Sequence, residues 1–165
     1  MRNEYGAYRP ISYKNHANPA NPPNPGPGFA RTVGGGCRQS AVEAAAAFVL
    51  SGIGSLSTAG LRFAGASTPQ RLTGATEILS LSGTVAFNGS HSSSHLHMAL
   101  STATGEVFGG HVAPGCIVRT TAEVLLALLP EWEFAREHYA LTGYGELVVR
   151  ARADEDNRSV VHKPA

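Results

Sequence analysis

The chain has 165 residues but only two cysteines, Cys37 and Cys116, too few for a disulfide scaffold or a Cys-rich zinc site. Charged residues make up 15% of it, and the 13 basic and 12 acidic side chains nearly cancel at a net +1. A surface that wraps duplex DNA by charge alone shows a clear basic excess, and none is present. Long apolar runs are missing too: Ala44 to Ile53 is 10 residues and is broken by Ser51 and Gly52. That is about half a bilayer crossing, which excludes a transmembrane helix. The Met-Arg-Asn-Glu-Tyr start lacks an apolar core of the signal-peptide kind, so the expected setting is soluble, reducing and cytoplasmic.

What the sequence does contain is 42% hydrophobic residues, enough for a core, and 19 Gly with 10 Pro, which imply many turns. The prolines cluster early, in Asn18-Pro-Ala-Asn-Pro-Pro-Asn-Pro-Gly-Pro-Gly28. Such a stretch has little to bury and favours extended conformations. The expected organisation is a disordered tail over residues 1–36, one globular domain over 37–150, and a polar tail over 151–165. Within the domain, Gln39 to Ala46 has good helix formers after a possible Ser40 cap, and a short helix is expected there. Strands are expected from Phe48, from Ala59 to Phe63, from Thr76 to Val85, and from Glu146 to Arg150. Cys116 to Leu129 has a β-branched start that favours a strand over a helix. Glu131 to His138 is compatible with a helical turn or an extended segment. The expected class is α+β, an antiparallel sheet with a packed helix.

The sharpest chemical signal is His95-Leu-His97 followed by Gly109-Gly-His111. On a strand, residues i and i+2 share a face, so His95 and His97 project together. A hairpin with arms His95 to Ser101 and Glu106 to Val112 returns the chain antiparallel. If Gly105 absorbs one residue as a bulge, His111 lands opposite His97. Three imidazoles then converge, the donor set of a three-His zinc site with one open position. Nickel, copper or iron suit the same donors. His91 is a further candidate ligand, although its Ser-rich loop favours solvent.

Other candidates carry less. Glu123, in Thr-Thr-Ala-Glu, is a carboxylate among apolar residues and the nearest guess for a general base. Cys116, beside Ile117 and Val118, reads as a small hydrophobe rather than a nucleophile. No Ser-His-Asp order is visible. Gly52-Ile-Gly54 lacks the helix and acidic residue of a dinucleotide site.

Taken together, Glu77-Ile-Leu-Ser-Leu-Ser-Gly-Thr84, His95-Leu-His97, Gly105, Gly109-Gly-His111, Gly115-Cys116 and Arg119-Thr-Thr-Ala-Glu-Val124 resemble the plants-and-prokaryotes conserved (PPC) domain, also called domain of unknown function 296. The resemblance runs from Arg38 to Arg150. It implies an antiparallel sheet with a packed helix, a homotrimer, and a role as a DNA-binding or transcription-associated regulatory protein. It also implies a divalent metal on the positions that here are His95, His97 and His111. The AT-hook of the plant members needs an Arg-Gly-Arg-Pro core, and this chain has only Tyr8-Arg-Pro10. The alternative function is a small zinc-dependent hydrolase or lyase using water on the three-His metal.

Overall fold

The computed structural model describes residues 8–14, 46–88 and 91–152, with the backbone alone for 8–14, 87–88 and 91–92. Eight strands run in chain order: β1 (Tyr8–Lys14), β2 (Ala46–Arg62), β3 (Gln70–Asn88), β4 (His91–Thr102), β5 (Val107–Val112), β6 (Ile117–Leu128), β7 (Trp132–Tyr139) and β8 (Tyr144–Ala151). Six form an antiparallel sheet in the order β1-β6-β2-β3-β4-β5, and β7 with β8 makes a separate hairpin. The end of β2 also pairs with β5, Leu61 with Val112 and Arg62 with His111. That second pairing curls β2 to β5 round on themselves.

The described residues hold no helix, which corrects the expected α+β class to all-β. The expected helix falls almost wholly outside the described residues, and its last member, Ala46, opens β2. Ala46 and Ala47 are fully buried and in register with Ala86 and Val85. Alanine's helix propensity is a weak preference, and sheet pairing on a buried surface overrides it. The two strands expected around Phe48 and Ala59 are one 17-residue strand, and its pairings shift register near Ser51, Ser55 and Ser57. Residues 117–128 and 132–139 are both extended. Tyr8–Lys14, inside the stretch expected to be a tail, pairs along β6.

Alternation decides the faces. On β4, Leu96, Met98 and Leu100 are buried, whereas His95 and His97 are exposed. The core takes Val49, Leu56 and Leu61 from β2, Leu81 and Val85 from β3, and Leu126 from β6. A smaller cluster of Ala46, Ala86 and Phe134, flanked by Leu129 and Leu147, fastens the β7–β8 hairpin onto the outer side of the sheet. Cys116 is buried, with the Gly60 N–H donating to its Sγ at 3.2 Å. Burial pushes its thiol pKa up, which fits packing and not nucleophilic chemistry. Cys37 lies outside the described residues. No described helix is long and apolar enough to cross a membrane.

Candidate metal centre

The β4–β5 hairpin fixes the register of the histidines. Thr102 N–H donates to the Glu106 carbonyl at 2.9 Å, and Gly105 N–H to the Thr102 carbonyl at 3.0 Å. Gly105 closes this turn at φ +84°, a left-handed conformation that glycine adopts without strain. From there the strands pair Ser101 with Val107 and His97 with His111. His97 therefore faces His111, the register the sequence pattern predicts. His95 follows on the same face, two residues along β4.

The three side chains meet outside the core. One ligating nitrogen from each of His95, His97 and His111 lies within 4.8 Å of the other two. The Nε2 atoms of His95 and His97 are 3.1 Å apart, and their rings stack with centroids 5.2 Å apart. The His111 ring stands edge-on to both, at 4.8 and 5.6 Å. Tetrahedral coordination at zinc–nitrogen lengths places donor nitrogens about 3.3 Å apart, so small side-chain rotations close the remaining gap. The His111 Nδ1 is buried with no hydrogen-bond partner among the described residues. A buried, unpartnered polar atom costs about 1–3 kcal/mol, a penalty that a bound ion or its ligand sphere removes. The donor set thus fits a transition metal.

The electrostatic setting favours neutral imidazoles, the form that ligates. Burial, then the charges of Arg136, His97 and Arg62, holds the His95 pKa below the ordinary histidine value, with Glu146 opposing. Burial, then His95, Arg62, His97 and Arg136, does the same at His111.

Glu123 is not brought to this cluster. It sits exposed on β6, in register with Ile53 of β2, and β2 and β3 separate its strand from β4. Three strand spacings make about 14 Å along the sheet. Being exposed, it needs no buried partner. His91 opens β4, and its side chain lies outside those described. Three groups near the cluster were not singled out from sequence: Arg62, Arg136 and Glu146. The signal for Arg136 is alternation, since it shares a face of β7 with buried Phe134, which packs onto the sheet. Arg62 carried no such signal, because the β2–β5 pairing is not local.

A curled antiparallel sheet bearing a three-imidazole cluster on its outer face defines a small all-β domain with a candidate metal centre. The chain belongs to the Plants and Prokaryotes Conserved domain family, whose model matches residues 29–130. Over 110 residues, 67% of its length, it is 44% identical to the bifunctional protein GlmU of Synechococcus sp. (strain JA-2-3B'a(2-13)); that match spans only 17% of GlmU. It is similar to a solved hypothetical protein from Salmonella enterica, with 33% identity, a TM-score of 0.71, and coverage of 90% of this chain and 97% of that one. A metal-containing protein from Archaeoglobus fulgidus shares the fold at 23% identity and a TM-score of 0.67, covering 88% of this chain and 95% of that one.

Proposed function

We propose that residues 37–150 form a metal-binding regulatory module in which His95, His97 and His111 hold one divalent transition ion, zinc foremost. The observation that carries this reading is the convergence of three imidazoles from two paired strands, with the His111 Nδ1 buried and unpartnered. The ion would supply Lewis acidity at its one position free of protein ligands. A zinc hydrolase or lyase built on the same ion needs a proton-accepting group beside it. Glu123 stands too far along the sheet for that, and Glu146, the carboxylate whose charge reaches His95, accepts a hydrogen bond from Thr142 Oγ1, so the module reading is the one we favour.

The pKa directions set the pH dependence of the site. Protons compete with the metal only once pH falls through the imidazole pKa values, and those of His95 and His111 lie below the ordinary 6.5. Zinc affinity, measured by competition with a chromophoric chelator, is expected to be flat from about pH 8 to about pH 7. It should fall steeply only in more acidic solution. A steep loss already between those two values would contradict neutral imidazole ligation.

The module is further proposed to act as a homotrimer in DNA-associated regulation. Support for assembly comes from the outer face of β2, β3 and β6, where Phe48, Leu50, Ile53, Leu79 and Leu125 remain 38 to 57% exposed on neighbouring strands. A contiguous apolar surface of this kind marks an interaction site. The mass by light scattering is expected to be about three times 17.2 kDa, and a monomer would contradict it. With a net charge of +1 and no AT-hook core, association with DNA is assigned to the assembly or to a partner.

A further inference from the structure

Two arginines flank the imidazoles, and holding a metal does not account for them. Arg62 ends β2 in register with His111, so their side chains leave the sheet on the same face. Gly110 permits this approach: a Cβ there would lie 2.6 Å from the Arg62 carbonyl oxygen. Arg136 arrives from β7 and donates from Nη2 to Thr84 Oγ1 at 2.8 Å. Thr84 is itself in register with His95. One guanidinium therefore stands beside His111 and the other beside His95.

Among the described residues, neither arginine is ion-paired with a carboxylate. The one ion pair among the described residues joins Arg150 to Glu137, away from the cluster. Arg62 makes no hydrogen bond or ion pair among the described residues. Among the described residues, Glu146 is the one acidic group whose charge bears on His95, and it accepts a hydrogen bond from Thr142 Oγ1 at 2.9 Å. Two cations beside a divalent ion repel it, and their presence is favourable only where negative charge is brought in. The guanidinium fork matches carboxylate and phosphate oxygens in a way that a lysine point charge does not.

We propose that Arg62 and Arg136 make the three-His centre an oxyanion-binding site, in which one oxygen of a small carboxylate or phosphate meets the metal's open position and the guanidiniums hold the others. This rests on the metal reading above. The ligand class is a compact anion with at least two oxygens.

The test uses the full chain loaded with Co(II), whose visible bands report both occupancy and changes in coordination. Inorganic phosphate and acetate are titrated separately at constant ionic strength, against wild type, Arg62→Gln and Arg136→Gln. Wild type is expected to show a saturable band shift with at least one anion, and the stronger of the two identifies the group. Each variant should keep its Co(II) bands and bind that anion about tenfold more weakly, as loss of a charge-assisted contact does. Arg62→Gln keeps the experiment decisive if Arg136→Gln loosens the hairpin. Bands indifferent to both anions, or equal anion affinity in wild type and Arg62→Gln, would overturn the oxyanion site while leaving the metal reading intact. No Co(II) bands at all would overturn both.

Discussion

His97→Ala is expected to empty the metal site without unfolding the protein. His97 is one of the three converging imidazoles, in register with His111 and 3.1 Å from His95 between Nε2 atoms. Its removal leaves two ligands on one ion. Structural zinc sites bind with roughly 10–16 kcal/mol over four ligands, so one ligand contributes about 3 kcal/mol. That is a loss on the order of a hundredfold in affinity. After dialysis against a weak chelator, metal content should drop from near one ion per chain to near zero. The thermal midpoint of metal-free protein should barely move, because the side chain is exposed and turned away from Leu96 and Met98. Unchanged metal content in the variant would remove His97 from the ligand set.

The largest effect on stability is expected from Gly83→Ala. Gly83 has φ +146°, and a Cβ there would lie 2.0 Å from the His95 carbonyl oxygen and 2.8 Å from the Leu96 Cα. Those atoms belong to β4 backbone, which cannot swing aside as a flexible side-chain end would. Backbone strain of about 1–3 kcal/mol adds to overpacking of about 1–3 kcal/mol. Together they make roughly 3 kcal/mol or more, a large part of the 5–15 kcal/mol by which domains are typically stable. A fall of about 10 °C or more in thermal midpoint follows. Because Gly83 pairs with Leu96, between His95 and His97, metal affinity should fall with it. Gly105→Ala is the matched comparison: φ is +84°, but nothing lies within 4 Å of the added Cβ. It carries the conformational cost alone, about 1 kcal/mol. Equal losses in the two variants, read by calorimetry, would contradict the steric account of Gly83.

The local half of the candidate site was legible in the sequence because strand periodicity is strict. His-Leu-His places two imidazoles on one face whatever surrounds them, and a glycine at the hairpin turn sets the parity of the returning strand. The flanking charges were not legible. Arg62 meets His111 only because β2 is long enough to pair with β6 and then β5 along the same edge. Nothing within a window of a dozen residues encodes that seam. The expected helix lies almost wholly outside the described residues, but its last member, Ala46, and Ala47 beyond it are strand, because pairing and burial against Ala86, Phe134 and Leu128 outweigh alanine's helix preference. Glu123 shares the outer face with the histidines, since Ala122 and Val124 point inward, but β2 and β3 lie between its strand and β4. Alternation along Val118 to Leu128 encodes the face and not the order of strands in the sheet.

The most direct measurement is metal content per chain of the tag-free full-length protein, by elemental analysis as purified and again after zinc reconstitution and dialysis. Near one zinc or other divalent transition ion per chain is the predicted result, since three imidazoles converge from two paired strands of one hairpin. Folded protein that stays metal-free after reconstitution would contradict the account. The three histidines would then be a surface cluster, and the buried His111 nitrogen would need another partner.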